Sequence, residues 1–386
     1  MGLGVLAIGS AELAVDQPTP SLVELLTGRT AVYAGLAAIG MFIAGRIDLR
    51  AIYRMRGLYN PIPYLVLLAA GLCVAALFSR WSVAINGSRR WLDLGGGLTF
   101  QPSEIAKWTL VAALAWWCAR RAGAMRHIGS GLLPPLVLTA VICGLIASQD
   151  LGTGALIGVV AIGLLAAGGA RLWQLALLLP AGGAAVVGLI AVEPYRLERL
   201  TTFLNPWPVA DGSGYQPIQM MDAIANGGRG WANGIVKQGY LPAETTDAIF
   251  AVIVEELGIA GAGLVVALLL ILLWAMFGVI RESRWPFGRL FALGVMMTIG
   301  LQAVINLAVV TVVVPTKGIA LPFVSSGGTG WIVSAFAAGL VAAVDRINRE
   351  QAEAAAVEPT PDEAPTKARP AAVQPAISVS ASGFDA

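Results

Sequence analysis

The chain has 386 residues, of which 57% are hydrophobic and 12% are charged, and its mean hydropathy is +0.76. A soluble domain carries roughly 25% charged residues, so this composition excludes an ordinary soluble protein. The formal net charge of +2 by itself says nothing about nucleic acid. The sequence has no basic stripe of the kind that grips phosphate backbones, so we expect no nucleic-acid partner. The chain has a single histidine, His127, which excludes a His-based zinc site or catalytic triad.

Apolar runs long enough to cross a bilayer recur along most of the chain. After a short first run, Gly2–Ala14, they lie near residues 30–45, 62–78, 102–118, 131–147, 153–169, 174–192, 249–279, 290–313 and 329–344. We therefore predict an all-α integral membrane protein with about ten transmembrane helices. Residues 193–248 form the longest polar interval between two such runs, and we interpret them as one large extracytoplasmic loop.

Arginine in the short loops predicts the orientation of the chain. The loops that carry it are 46–56, 119–127, 170–173 and 281–289. With ten helices these loops share one face, which is the cytoplasmic face by the positive-inside rule. Both termini are then cytoplasmic, and the large loop lies outside.

A change of composition near residue 345 marks the end of the membrane domain. We expect residues 1–345 to form one polytopic domain. Residues 346–386 are rich in Pro, Ala and charged residues, which predicts a disordered cytoplasmic tail.

Asp247 stands where the large loop meets the next apolar helix. One interpretation is structural, because a helix N-terminus favours a nearby carboxylate and Thr245 or Thr246 could cap it. The other is a general base, which works best with a pKa near the operating pH. A helix N-terminus lowers the pKa of a carboxylate, so a base at this position would need desolvation to raise it.

Glu104 and Lys107 are three residues apart at the start of an apolar helix, so they share a face and can pair. Charges inside a span are costly and usually face an internal cavity. The pair either holds helices in register or lines a substrate cavity. Just before it, Arg89 and Arg90 are suited to bind the phosphates of a lipid-linked diphosphate, or else anionic headgroups.

Further candidate binding residues occur in the external segments. Asp150 either caps a helix or lines the same cavity. In the large loop, Gln216 and Gln219 lie on an amphipathic segment and could face a sugar, although plain packing also explains this pattern. Lys317 and Ser325 lie in a segment broken by proline and glycine, which survives near membrane depth only beside protein or a wet cavity.

These residues lie in motifs that resemble the SEDS family, which holds FtsW, RodA and their sporulation relatives. In chain order the motifs are NGSRRW (86–91), FQPSEIAKW (100–108), QDLGTGAL (149–156), FLNPWPVADGSGYQ (203–216), AIANGG (223–228), LPAETTDAIFAVIVEELGIAG (241–261) and VPTKGIALPFVSSGG (314–328). The form PTKG is closer to FtsW than to RodA. The sequence departs from the family pattern at Gln149, Met220, Ala243 and Ser326.

The resemblance implies a ten-helix glycosyltransferase of a bacterial inner membrane. Such an enzyme polymerises lipid II, an undecaprenyl-diphosphate-linked precursor, into glycan strands on the outer face, in division or cell-shape maintenance. It implies that Asp247 deprotonates the acceptor hydroxyl, that Glu104 and Lys107 lie in the central cavity, and that a class B penicillin-binding transpeptidase is the partner.

Two other functions remain open for this sequence. A lipid II flippase would use the charged pair as a transport path, although no inverted repeat of broken helices is evident. A non-catalytic scaffold for the transpeptidase would tolerate the loss of Asp247. No cofactor is expected with certainty, and any divalent cation, Mg or Mn, would be held partly by the substrate diphosphate.

Overall fold

The computed structural model describes residues 1–12, 22–78, 82–85, 88–93, 95, 99–230, 241–242, 245–326 and 328–357. Residues Met1–Asn348 form one compact unit and Arg349–Ala386 form a second.

Helices make up most of the described chain. Their bounds are α1 Gly2–Ala11, α2 Leu22–Thr27, α3 Arg29–Arg46, α4 Leu49–Arg54, α5 Pro61–Phe78, α6 Pro102–Arg120, α7 Leu133–Ala147, α8 Leu151–Ala167, α9 Leu172–Ala176, α10 Leu178–Val192, α11 Pro194–Leu204, α12 Tyr215–Ala225, α13 Ile249–Glu282, α14 Pro286–Val310 and α15 Thr329–Val357. Each apolar run of the sequence coincides with one of these helices, and the run at 174–192 is divided between α9 and α10.

Six helical stretches of the described chain are long and apolar enough to cross a membrane. They are Pro61–Phe78, Ile128–Ala147, Leu172–Val192, Ile249–Glu282, Pro286–Val310 and Thr329–Ala356. Gly2–Ala11 and Leu151–Ala167 are shorter apolar helices. A helical, multi-pass architecture is therefore confirmed, while the count of ten crossings stays a prediction.

A small antiparallel sheet interrupts the helical pattern between α5 and α6. Its strands are β1 Ser82–Ile85, β2 Ser88–Asp93 and β3 Thr99–Phe100, with β2 in the centre. Hydropathy did not predict these strands, because they are too short and too polar to stand out beside membrane helices. The sheet ends at the residue before Gln101, the N-cap of α6, so it lies at the N-terminal end of this helix.

The centre of the bundle is formed by α6, α8 and α14. Their contact depends on Gly294, where an added Cβ would lie 2.6 Å from Val111 Cγ1 and 2.9 Å from Leu164 Cδ1. Small residues of this kind let membrane helices approach closely. In contrast, α10 has no buried residue, so its apolar surface is exposed in the described part of the structure.

Helix α13 is broken near its start. Gly258 has φ 63° and ψ −157°, and an N-terminal half-helix ends there. The amides of Gly228, Arg229 and Gly230 donate to the last carbonyls of this half-helix, Val254, Glu255 and Glu256, at 2.9 to 3.2 Å. The chain that follows α12 therefore caps a half-helix whose first residues adjoin Asp247.

The end of the chain differs in part from expectation. Helix α15 continues to Val357, so residue 346 lies within a helix rather than at the start of a disordered tail. Residues 358–386 lie outside the described part of the chain, and their disorder stays a prediction.

Candidate functional site

A cavity of about 320 Å³ with several charged and polar side chains in its wall lies at one end of the central helices. It is walled by the sheet, α6, α8, α14, the start of α15, the segment just before α13 and the segment between α14 and α15. Three of these walls, namely the sheet, the segment before α13 and the segment between α14 and α15, come from parts of the chain for which the sequence predicts an extracytoplasmic location. Residues from these walls include Trp91, Glu104, Lys107, Thr153, Asp247 and Ser334.

Asp247 lines this cavity and is half-buried. Helix α13 begins two residues later, and its N-cap, Ala248, makes no side-chain capping bond. The backbone around Asp247 is held from two sides. Its carbonyl accepts a hydrogen bond from Asn306 Nδ2 at 2.9 Å, and the Thr245 carbonyl accepts one from the Ser326 amide at 2.7 Å.

Glu104 and Lys107 form an ion pair in the cavity wall. Lys107 Nζ lies 2.9 and 3.1 Å from the two carboxylate oxygens of Glu104 and 3.1 Å from Gln302 Oε1. The Lys107 side chain is 2% exposed and that of Glu104 is 15% exposed. The three ammonium donors are therefore all used, and the carboxylate is the more accessible partner.

The segment between α14 and α15 forms another wall of the cavity and is fixed by polar side chains. Gln302 Nε2 donates to the Ala320 carbonyl at 2.9 Å, and Asn306 Nδ2 donates to the Ile319 carbonyl at 2.7 Å. Ser325 is fully buried, and its hydroxyl accepts a hydrogen bond from the Leu321 amide at 2.7 Å. Ser325 therefore shapes the wall that it was predicted to line.

Lys317 immediately precedes Gly318, which lines the cavity. Burial is the main cause that lowers the pKa of Lys317, and Arg199 and Arg196 lower it further while Asp150 raises it. Both arginines bind backbone carbonyls: Arg199 Nη1 that of Thr316 at 3.0 Å and Arg196 Nη2 that of Ser148 at 3.0 Å. Lys317 itself is not among the residues that line the cavity. It belongs to a group of three cationic side chains and one carboxylate next to the segment that does.

Other predicted site residues lie outside the cavity wall. Asp150 is the N-cap of α8, where it accepts from the Thr153 amide at 3.0 Å and the Thr153 hydroxyl at 2.8 Å. Of the two roles predicted for Asp150, the structure shows the helix cap, and Asp150 is not among the residues that line the cavity. Gln216 and Gln219 lie on α12, are half-buried, and are not among the residues that line the cavity.

Arg89 and Arg90 lie on β2, next to Trp91, which does line the cavity. Their side chains fall outside the described part of the structure. Their predicted phosphate contact therefore stays a prediction.

Sequence reasoning missed Gln302 and Asn306, although a signal was present. The two amides are four residues apart in an otherwise apolar helix, so they share one face. Polar groups in a membrane helix usually point to a protein partner or a cavity. Trp91 was also missed, because its strand was not predicted.

The cavity combines groups suited to chemistry on a polar substrate. Asp247 offers a carboxylate beside the large loop, and Glu104 offers a second carboxylate fixed by Lys107. Lys317 adds positive charge next to Gly318, which lines the cavity. A carboxylate can accept the proton of an attacking hydroxyl, and cations stabilise an anionic leaving group.

Comparisons of the sequence and of the structure with known proteins indicate the same protein family. Residues 1–350 match the FtsW/RodA/SpoVE family model, described as a cell cycle protein. A probable peptidoglycan glycosyltransferase FtsW of Nitrosococcus halophilus is 37% identical over 351 residues, 89% of this chain and 89% of the relative. The probable peptidoglycan glycosyltransferase FtsW of Coxiella burnetii is 32% identical over 348 residues, 88% of this chain and 92% of the relative.

Solved structures agree with the sequence match. One similar solved chain comes from a study of a peptidoglycan synthase complex, described as "Structural coordination of polymerization and crosslinking by a peptidoglycan synthase complex". It superposes with a TM-score of 0.71 and 27% identity, and the match covers 90% of this chain and 95% of that chain. The rod shape determining protein RodA of Thermus thermophilus has a TM-score of 0.61 and 26% identity, with 90% and 93% covered. This multi-pass membrane protein therefore belongs to the FtsW/RodA/SpoVE family.

Proposed function

We propose that this protein is a peptidoglycan glycosyltransferase that polymerises lipid II on the outer face of a bacterial inner membrane. The observation that carries the proposal is the meeting of Asp247 with the Glu104–Lys107 pair in one polar cavity. Support also comes from the relatives named probable peptidoglycan glycosyltransferase FtsW. Their name favours a role in cell division, and the arginine-rich short loops favour cytoplasmic termini.

Asp247 is the proposed general base. Its carboxylate takes the proton from the acceptor sugar hydroxyl while that oxygen attacks the anomeric carbon of the donor. The new glycosidic C–O bond forms as the bond to the lipid diphosphate breaks, and the diphosphate leaves with the electron pair. The position of Asp247 supports this role, because the residue is half-buried and lines the cavity, where a substrate hydroxyl can reach it.

Glu104 and Lys107 have separate proposed tasks. Because Lys107 is almost fully buried and its donors are used, it holds the Glu104 carboxylate in place. Glu104, being more exposed, is the group that accepts hydrogen bonds from the substrate sugars. Lys317, together with Arg89 and Arg90, is proposed to bind the diphosphate, for which cationic donors are suited.

A divalent cation bound with the diphosphate is an open part of the proposal. In the ranges that the structure describes, no three His, Cys, Asp or Glu side chains come together as a metal site. The protein groups present there do not fit a metal held by the protein alone, so no step above is assigned to one.

A transpeptidase partner is proposed for the same enzyme. One similar chain belongs to a peptidoglycan synthase complex described as coordinating polymerization and crosslinking. A class B penicillin-binding transpeptidase would use the strands made here.

Polymerisation of purified lipid II tests the function. The protein is co-purified with its candidate transpeptidase as wild type and as Asp247→Asn, and products are separated on a gel. We expect polymer from the wild type and none from the variant, because an amide cannot accept the acceptor proton. Polymer from both proteins would show that Asp247 is not the general base. Polymer from neither would count against the proposed glycosyltransferase activity.

A flippase is the second candidate, since a buried ion pair within a membrane helix also suits a transport path. Vesicles with labelled lipid II separate the two functions. Transfer of label across the bilayer without polymer would support the flippase. Neither transfer nor polymer, together with complementation of depleted cells by Asp247→Ala, would favour a non-catalytic scaffold.

A further inference from the structure

Helix α14 carries a buried amide that reaches two parts of the cavity at once. Asn306 is fully buried. Its Nδ2 atom donates to the Asp247 carbonyl at 2.9 Å and to the Ile319 carbonyl at 2.7 Å. Ile319 lines the cavity, as does Asp247. One side chain therefore ties the peptide of the proposed base to the wall formed by the segment between α14 and α15.

The surroundings show why this tie controls Asp247. The next two residues, Ala248 and Ile249, are fully buried, which fixes the chain on the C-terminal side. On the N-terminal side the Ser326 amide holds the Thr245 carbonyl at 2.7 Å. The Asn306 side chain binds the Asp247 peptide itself, and the orientation of this peptide sets the direction in which the carboxylate leaves the backbone.

The choice of an amide at this position is not explained by packing. Within the described residues, Asn306 Oδ1 is a buried acceptor with no hydrogen-bond partner. Burying an unsatisfied polar atom costs free energy, which an apolar residue of similar size would avoid. An asparagine at this position supplies two hydrogen bonds from Nδ2, which a leucine could not make.

We propose that Asn306 is a positioning residue that holds Asp247 in its reactive orientation relative to the adjacent cavity wall, the segment between α14 and α15. This inference rests on the proposed function and extends it to a residue that touches no substrate. Gln302, one turn earlier on the same face, holds the adjacent carbonyl of Ala320 at 2.9 Å, so α14 fixes both consecutive peptides of this wall.

The test compares Asn306→Leu and Asn306→Asp with a matched control, Asn348→Leu. Asn348 is also a buried asparagine, 7% exposed, whose Nδ2 donates to the Val279 carbonyl at 3.2 Å and whose Oδ1 has no partner among the described residues. It lies on α15 and is not among the residues that line the cavity. Each protein is purified with its transpeptidase partner, and kcat and KM for lipid II polymerisation are measured beside the thermal midpoint.

The expected result is a selective loss of kcat. A misplacement of about 1 Å at a catalytic group can lower the rate roughly 10²-fold, so Asn306→Leu should lose activity on that order with KM nearly unchanged. Asn306→Asp keeps the shape, and its neutral form donates one of the two bonds, so its kcat should be intermediate. Asn348→Leu should share any loss of thermal midpoint but keep the wild-type kcat.

A double variant separates positioning from general damage. In the Asp247→Asn background, removing Asn306 should not lower the residual rate further, because the group it orients is already gone. A further decrease equal to that in the wild-type background would contradict the proposal. If that residual rate is too low to measure, the separate kcat and KM values of the single variants decide.

Other outcomes are also decisive. A wild-type kcat in Asn306→Leu overturns the positioning role. The role is also overturned if Asn306→Leu and the control Asn348→Leu change kcat and KM by the same factors. If Asn306→Leu does not fold, Asn306→Asp is read by the same criteria. Wild-type polymerisation by Asp247→Asn would instead refute the proposed base, which is a separate failure.

Discussion

Lys317 is a titratable cation next to Gly318, which lines the cavity. Burial, and then Arg199 and Arg196, lower its pKa, so its ammonium loses the proton at a lower pH than an ordinary lysine. If Lys317 binds the substrate diphosphate, binding is present below this pKa and is lost as the pH rises through it.

We therefore expect Lys317→Arg to extend activity to higher pH, because an arginine remains charged. The measurement is kcat/KM for lipid II polymerisation as a function of pH, with Lys317→Gln as the control that should be impaired throughout. Identical alkaline decreases in the wild type and Lys317→Arg would show that another group causes the decrease.

Lys107 is almost fully buried, and its partner Glu104 is 15% exposed in the cavity wall, so the two charges depend on each other. Lys107→Met should lower the free energy of unfolding by up to about 3 kcal/mol, because a partly buried carboxylate loses its counter-ion. Glu104→Gln combined with Lys107→Met should recover much of this loss while remaining inactive. Thermal midpoints in detergent measure both effects, and equal midpoints for the single and double variants would contradict this coupling.

At the scale of elements, the break in α13 decides where the half-helix beside Asp247 ends. Gly258 has φ 63° and ψ −157°, and a Cβ there would lie 3.3 Å from Gly228 Cα. This conformation is essentially restricted to glycine, and other residues pay of the order of 1 to 3 kcal/mol to adopt it.

We expect Gly258→Ala to lower the thermal midpoint and the polymerisation rate together, since the start of α13 would shift. Gly263→Ala is the matched control: it lies in the same helix with open space around it, and the change should stabilise by about 0.5 to 1 kcal/mol. Equal midpoints for the two variants would mean that the break does not require a glycine.

Elements differ in how well the sequence predicts them. Helices such as α8 and α14 were predicted because a membrane helix must be apolar over most of its length. The three-stranded sheet was not, since strands as short as Thr99–Phe100 carry no periodic signal and are stabilised by pairing with neighbours.

At the scale of the whole molecule, the compact unit ends at Asn348 and α15 ends at Val357. We expect a chain shortened after Val357 to fold and to polymerise lipid II as the full chain does, because residues 358–386 have the composition of a disordered tail. Gel assays and thermal midpoints of the two chains provide the comparison. A lower rate in the shortened chain would assign the tail a role in the enzyme.

The sequence by itself determined the membrane class, the apolar helices and the family, because hydropathy and ordered motifs are local properties of the chain. It also identified Asp247, Glu104 and Lys107 as the residues to consider. Only the tertiary structure brought them into one cavity, made Asp150 a helix cap, and placed Gln216 and Gln219 away from that cavity. It also showed that Asn306 holds the Asp247 peptide. Such facts depend on which segments meet, and packing between segments distant in sequence decides this.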